Sequence, residues 1–235
     1  TRDITWGIPV PLDGFESKRI YVWFEAVIGY LSASIEWAGG TNDSEAWQTF
    51  WSNGSKSYYF MGNDNIPFHT VIWPAMLLGY EGLNLPYDVP ANEYVNMDQK
   101  QMSTSRNWAV NLGYYLDRYD PDPLRYALSS IMPETSDSNF SWSEYVRRNN
   151  DELVATFGNL VHRVLSMTNR YFDGVVPNPY DMDARDKDLL AQAKRSLEQV
   201  AAELRECHFR KGLEMSMTLA QETHKYIDEK APRKA

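Results

Sequence analysis

Cysteine is nearly absent from this 235-residue chain, which carries only Cys207. A lone thiol excludes an internal disulfide and any thiolate-rich metal site, and it fits a reducing, intracellular compartment. Long apolar runs are missing too. None approaches the roughly 18 residues that a membrane-spanning helix needs, and no secretion leader is visible. Positive charge is scarce, with 23 Lys and Arg against 32 Asp and Glu and a formal net charge of −9. That disfavours indiscriminate nucleic-acid binding, although Arg147, Arg148, Arg163 and Arg170 could build a local basic face. Internal repeats and low-complexity tracts are also lacking. The chain opens Thr1-Arg2-Asp3 without an initiator Met, so it reads as a piece of something longer.

Aromatic residues are abundant, at 14% with 8 Trp and 15 Tyr. The densest information lies between Tyr58 and Trp73. Tyr58–Met61 reads as a buried strand, Gly62 breaks it, and Asn63-Asp64-Asn65 supplies turn chemistry. Pro67 suits the first turn of a following helix. A strand, glycine turn and helix in that order place Gly62–Asn65 at the carboxyl edge of a strand, where open α/β sheets bind nucleotides. On that helix His69 and Trp73 are four apart and share a face. Further strands are expected at Ile20–Phe24 and around Tyr94–Asn96. The run Tyr21-Val22-Trp23-Phe24-Glu25-Ala26-Val27-Ile28-Gly29-Tyr30 reads, taken alone, as a core strand entering a helix.

From about residue 143 the pattern becomes helical. Ser141-Trp142-Ser143-Glu144 has capping-box spacing, and the helix it starts carries Leu153, Phe157, Leu160, Val164 and Leu165 before stopping near Gly174. A second helix begins around Asp183 and a third follows Cys207. Three amphipathic helices with short joints make a small bundle. The fold class is thus α/β followed by an α-helical bundle, with domains at 1–142 and 143–235.

Lys100-Gln101-Met102-Ser103-Thr104-Ser105-Arg106-Asn107 offers hydroxyls and cations suited to phosphate, but by composition it is equally an ordinary solvated loop. Asn159 and Arg163, at i and i+4, could present an amide and a guanidinium together, or simply form a solvated helix face.

Taken together these words have a family's order and spacing. They are Trp6-Gly7-Ile8-Pro9-Val10-Pro11, Tyr21 to Tyr30, Gly62 to Ala75, Ser103-Thr104-Ser105-Arg106, Leu124-Arg125-Tyr126, Pro133-Glu134-Thr135, Asp137 to Trp142 and Gly158-Asn159-Leu160. The chain resembles the methionyl-tRNA synthetases, class Ia aminoacyl-tRNA synthetases, over about residues 2 to 170. The resemblance implies the second half of a Rossmann-like catalytic domain with a linking subdomain, then a truncated anticodon-binding bundle. It implies a cytoplasmic ligase that activates methionine with ATP and Mg²⁺ and charges tRNA. Trp23, Ala26, Tyr30, His69 and Trp73 match methionine-lining positions. Gly62, Asp64 and Thr104 match ATP-binding positions. Met102, Ser103, Thr104, Ser105 and Arg106 match the phosphate-handling loop usually written KMSKS, and Arg2 matches a catalytic arginine. Asn159 and Arg163 match anticodon readers. Aromatic walls with one hydroxyl suit a polarisable thioether.

Several family features are missing. Gln101 and Thr104 replace both loop lysines, leaving Lys100 and Arg106 as candidate cations. Val27 replaces a common proline, and Pro232-Arg233 stands where many relatives carry a stacking tryptophan. None of His69, His162, His208 and His224 fits the upstream His-x-Gly-His motif, and the zinc knuckle is absent, so no metal site is expected here. The chain is therefore expected to be inactive alone, without its amino-terminal half. Another class Ia synthetase for an aliphatic amino acid, or a synthetase-like tRNA-binding module without activation chemistry, are the alternatives.

Overall fold

The computed structural model describes residues 2–52, 54–179 and 181–231; the side chain of Arg2 and all of Arg233 lie outside what it describes. Mixed helices and small sheets make up the chain, compatible with the expected α/β class. It divides into two compact units, Thr1–Asn92 and Glu93–Ala235. The expected boundary at 142/143 falls inside the second unit.

In the first unit β1 (Arg2–Asp3) pairs antiparallel with β2 (Lys18–Arg19). Three helices follow: α1 (Val22–Ala26), α2 (Gly29–Gly39) and α3 (Gln48–Trp51). The strand expected at Ile20–Phe24 is corrected, because Val22–Phe24 is helical. A short apolar run cannot distinguish strand from helix by periodicity. Here the run is not buried: Val22, Trp23 and Phe24 are all exposed, and only Val27 beyond them enters the core. Val27 has φ −68°, an angle proline also adopts.

Tyr58–Met61 is extended and runs parallel to 88–91. The Tyr59 N–H donates to the Asp88 carbonyl at 3.0 Å and the Met61 N–H to the Pro90 carbonyl at 3.2 Å. Regular pairing is confined to β3 (Met61–Gly62) and β4 (Ala91–Asn92), since Pro90 has no N–H to return a bond. A 3₁₀ turn (Asn63–Asn65) and a π-helical turn (Phe68–Ile72) lead into α4 (Trp73–Tyr80). The core of this unit is Val27, Trp51, Tyr59, Trp73 and Leu77, with Leu31, Met61 and Phe68 packed around it.

The second unit opens with a hairpin of β5 (Val95–Met97) and β6 (Lys100–Gln101). Asp98 and Gln99 turn it with φ of 47° and 65°, the two left-handed angles of a type I′ turn. β5 begins one residue after the expected start at Tyr94 and also pairs parallel with β7 (Ser138–Phe140). Between them lie α5 (Leu112–Leu116), whose N-cap Asn111 accepts the Tyr114 N–H at 2.9 Å, and α6 (Pro121–Ser130). Tyr115, Leu124 and Phe140 form the core, flanked by Met97 and Met102.

Ser141 caps α7 (Trp142–Arg147) by accepting the Glu144 N–H at 3.2 Å. Glu144 pairs with Arg147 at 2.6 Å and Arg148 at 2.9 Å. The expected single helix is three windings: α7, an 11-residue π-helical stretch (Arg148–Gly158) and α8 (Asn159–Phe172). It stops where expected, with Asp173 and Gly174 at φ 49° and 80°. α9 (Ala184–Arg205) starts at a complete capping box between Asp183 and Asp186. α10 (Phe209–Lys230) packs against it, and Gly212 permits the approach: a Cβ there would stand 3.1 Å from the Leu204 side chain. Cys207, partly buried, sits in the joint with φ 60°. No helix among the described residues is long and apolar enough to cross a membrane.

Among the described residues, the contacts that join residues before 142 to the bundle include the Tyr115 and Tyr145 hydroxyls, 2.9 Å apart, and two further hydrogen bonds. The Glu134 carboxylate accepts the Arg210 N–H at 2.9 Å, on the first turn of α10, where an acid also opposes the helix dipole. The Tyr126 hydroxyl donates to Glu152 at 2.5 Å. The linking residues and the helices therefore share one unit.

Lys230, at the end of α10, pairs with Asp183 and Asp186 at 2.6 Å each, and the Tyr226 hydroxyl donates to Asp186 at 2.8 Å. Lys230 and Tyr226 hold the Asp186 carboxyl down at about 2, below its ordinary 3.8. A depressed carboxyl contributes stability above its unfolded pKa and loses it as pH falls through the folded value. The thermal midpoint is expected to drop between pH of roughly 4 and 2, and Asp186→Asn is expected to flatten that drop. Circular dichroism melts across that window check this.

Candidate functional site

α2 and the π-helical turn bring Tyr30 to His69. The His69 ring is 5% exposed. Its Nδ1 lies 2.9 Å from the Asn65 carbonyl and its Nε2 lies 2.8 Å from the Tyr30 hydroxyl. A carbonyl only accepts, so Nδ1 carries the hydrogen; in the neutral ring Nε2 then accepts from Tyr30. The 3₁₀ turn that contains Asp64 therefore also fixes the imidazole.

Trp73 is 2% exposed, inside the core. Its indole N–H donates to the Tyr59 hydroxyl at 2.9 Å. Tyr30 lies edge-on to Tyr59 with centroids 5.1 Å apart, and is 6.4 Å from Trp73. Trp51 meets Trp73 edge-on at 5.8 Å. Tyr30, His69 and Trp73 thus converge. Trp23 does not join them: its ring stacks on Phe68 at 5.6 Å and stays 45% exposed. Ala26 is exposed at the end of α1. A cavity of about 330 Å³ borders Tyr30, Ser34, Trp51 and Tyr59; His69 and Trp73 do not line it.

No signal in the sequence singles out Tyr59, Trp51 or Phe68. Tyr59 alternates with Tyr58 and Phe60, and alternation alone does not say which face meets a partner.

Gly62 ends β3 with φ −80° and ψ 154°, angles open to any residue. A Cβ there would meet nothing within 4 Å. Neither backbone strain nor packing within the chain explains a glycine at this exposed position, which is what close approach of a ligand would require. Asp64, also exposed, follows in the turn.

In the second unit Met102 packs into the core and the rest of its loop is clasped. Ser103 and Trp108 exchange backbone bonds of 2.8 and 2.9 Å, and the Asn107 N–H reaches the Thr104 carbonyl at 3.0 Å. Ser103 and Ser105 hydroxyls lie 3.1 Å apart. Thr104, Ser105 and Arg106 form the exposed tip. The Lys100 ammonium stands 5.5 Å over the Trp108 ring, a cation–π placement. Three hydroxyls, of Ser103, Thr104 and Ser105, and the Arg106 cation are therefore carried on a pre-shaped turn, with the exposed Lys100 on β6.

Asn159 is exposed at the start of α8. Arg163, 17% exposed in its side chain, donates to His224 Nδ1 at 3.0 Å and Asp228 Oδ1 at 2.7 Å. His224 Nε2 donates to the Thr156 carbonyl at 2.8 Å. The guanidinium expected beside Asn159 on an open face is engaged with α10. Among the described residues no group of three or more His, Cys, Asp or Glu is placed to hold a metal ion.

A family model, that of the tRNA synthetases class I (M), matches residues 1–165. A methionine–tRNA ligase of Dehalococcoides mccartyi is 56% identical over 234 residues, all of this chain but 42% of the relative. One from Thermomicrobium roseum is 52% identical over 99% of this chain and 40% of its own length. The chain thus spans about two fifths of the curated relatives it matches. A crystal structure of Mycobacterium tuberculosis methionyl-tRNA synthetase bound by methionyl-adenylate aligns with a TM-score of 0.81 at 29% identity, covering 98% of this chain and 44% of that one. On sequence and fold together, the chain belongs to the methionyl family of class I tRNA synthetases.

Proposed function

We propose that this chain supplies the carboxyl half of the nucleotide-binding fold, a linking subdomain and much of the anticodon-binding bundle of a cytoplasmic methionine–tRNA ligase. The observation that carries the reading is the convergence of Tyr30 on His69 and Trp73, the last two lying on the same short segment as the Gly62–Asn65 turn. The ligase joins methionine to tRNA in two steps. The methionine carboxylate attacks the α-phosphate of ATP in line; a P–O bond forms, the bond to pyrophosphate breaks, and methionyl-adenylate remains. A ribose hydroxyl at the tRNA 3′ end then attacks the acyl carbon and AMP leaves. Magnesium enters with ATP.

Neither step needs a protein nucleophile, so the residues act by position and charge. Tyr30, His69 and Trp73 hold the methionine side chain, with Trp23 and Ala26 at its edge on α1. Asp64 accepts ribose hydroxyls, and bare Gly62 lets the nucleotide approach. Thr104 and the neighbouring serines meet phosphate oxygens. Lys100 and Arg106 supply the positive charge that a lysine at position 104 would bring. Asn159 reads the anticodon, with Arg163 holding the helix that carries it.

In the complete protein, ATP–pyrophosphate exchange is expected with methionine and not with leucine or valine. Gly62→Ala is expected to raise the KM for ATP roughly tenfold with an unchanged thermal midpoint, because the added methyl meets only ligand. Exchange supported by leucine or valine instead would move the assignment to another class Ia synthetase. tRNA binding without exchange would leave a binding module.

A further inference from the structure

We infer that Tyr59 is a positioning residue for amino-acid selection, acting through Trp73 and Tyr30. The inference rests on the proposed methionine site and adds to it a residue that the family pattern did not supply. Tyr59 is 7% exposed. Its backbone is tied by the 3.0 Å bond to the Asp88 carbonyl, in the extended segment that leads into β3. From there it makes three contacts with the cluster. Its hydroxyl accepts the Trp73 N–H at 2.9 Å; its ring meets Tyr30 edge-on at 78°; and it lies 5.8 Å from the His69 ring. Burial raises the phenol pKa, which keeps the oxygen neutral as an acceptor.

Without that oxygen, a buried indole N–H would have no partner in this arrangement. An unpaired buried donor is costly enough to turn a side chain toward another acceptor. Turning the Trp73 indole shifts the ring that stands 6.4 Å from Tyr30. Trp51 also meets Trp73 edge-on, and its own N–H donates to Ser34 Oγ at 3.0 Å while that hydroxyl donates to the Tyr30 carbonyl at 2.9 Å. The indole is thus held by two aromatic neighbours, of which Tyr59 also touches Tyr30 and His69. A residue so placed sets the width of the aromatic site.

The test is Tyr59→Phe in the complete protein, alone and combined with Trp73→Phe. Tyr59→Phe is expected to raise the KM for methionine roughly tenfold and leave kcat and the KM for ATP within about twofold. In the Trp73→Phe background, which has no N–H to place, the same change is expected to add less than about twofold. Parallel losses in methionine and ATP, or an undiminished effect in that background, would overturn the inference. Failure of the methionine site itself reads differently: Trp73→Phe would then leave the KM for methionine unchanged, while thermal melts of the four proteins would still report the Tyr59–Trp73 coupling.

Discussion

Trp73→Ala is expected to destabilise the Thr1–Asn92 unit by about 3–5 kcal/mol, the cost of emptying a buried aromatic site. Trp73 is among the largest fully buried side chains of the chain. It packs with Val27, Trp51, Tyr59 and Leu77, and it meets Tyr30 and Trp51 ring to ring. Truncation removes those contacts and leaves the Tyr59 hydroxyl without its donor. Denaturant unfolding followed by fluorescence should show the loss directly. Activity measured on this variant would mix lost folding with lost selection, so it cannot by itself assign Trp73 to methionine. Trp73→Phe keeps most of the ring and removes the N–H, with an expected cost of about 1–2 kcal/mol. That variant separates the roles: a raised KM for methionine in a folded protein speaks for the site, and full Trp73→Ala destabilisation with unchanged Trp73→Phe kinetics speaks for packing alone.

Arg163→Ala is expected to loosen the bundle by about 1–2 kcal/mol. Charged hydrogen bonds with a largely buried guanidinium support a figure of roughly 1.5–3 kcal/mol, but Asp228 is 67% exposed and water screens that half of the interaction. Arg163→Lys should recover only part of the loss, since a single ammonium cannot serve His224 and Asp228 as a fork does. Asn159→Ala, at an exposed position, should melt with the parent protein. If tRNA charging falls in Asn159→Ala without a change in midpoint, Asn159 contacts RNA directly. If Arg163→Ala charges poorly and Arg163→Lys recovers in proportion to its midpoint, the arginine acts by holding α8 against α10. An Arg163→Lys protein that melts like the parent but still fails to charge tRNA would restore the arginine to the anticodon.

The helical half was legible because its signals are local. Asp183 with Asp186, Gly174 after an amphipathic run, and the joint at Cys207 each act within a few residues of the boundary they set. The π winding between Arg148 and Gly158 was not legible, because it keeps helical spacing nearly enough to pass as one α-helix. In the first half the strand at Ile20–Phe24 failed for the opposite reason: a dense apolar run implies burial, and here the run lies on an exposed short helix. Of the candidate site, His69 with Trp73 was legible from their spacing. Tyr30 could be joined to them only through family likeness, since 39 residues separate it from His69. Tyr59 had neither signal. Arg163 showed its type and spacing in the sequence but not its commitment, because His224 and Asp228 lie 61 and 65 residues away.

The carbonyl of Asn65 has a chemical effect beyond holding a ring still. By keeping hydrogen on one imidazole nitrogen it leaves the other as a basic lone pair, and that lone pair already owns the phenolic hydrogen of Tyr30. A guest sulfur, a feeble acceptor, would compete with it at a disadvantage. Discrimination by such a cleft would then turn on contour and polarisability, and a straight hydrocarbon analogue of equal length should be a serious rival to the thioether.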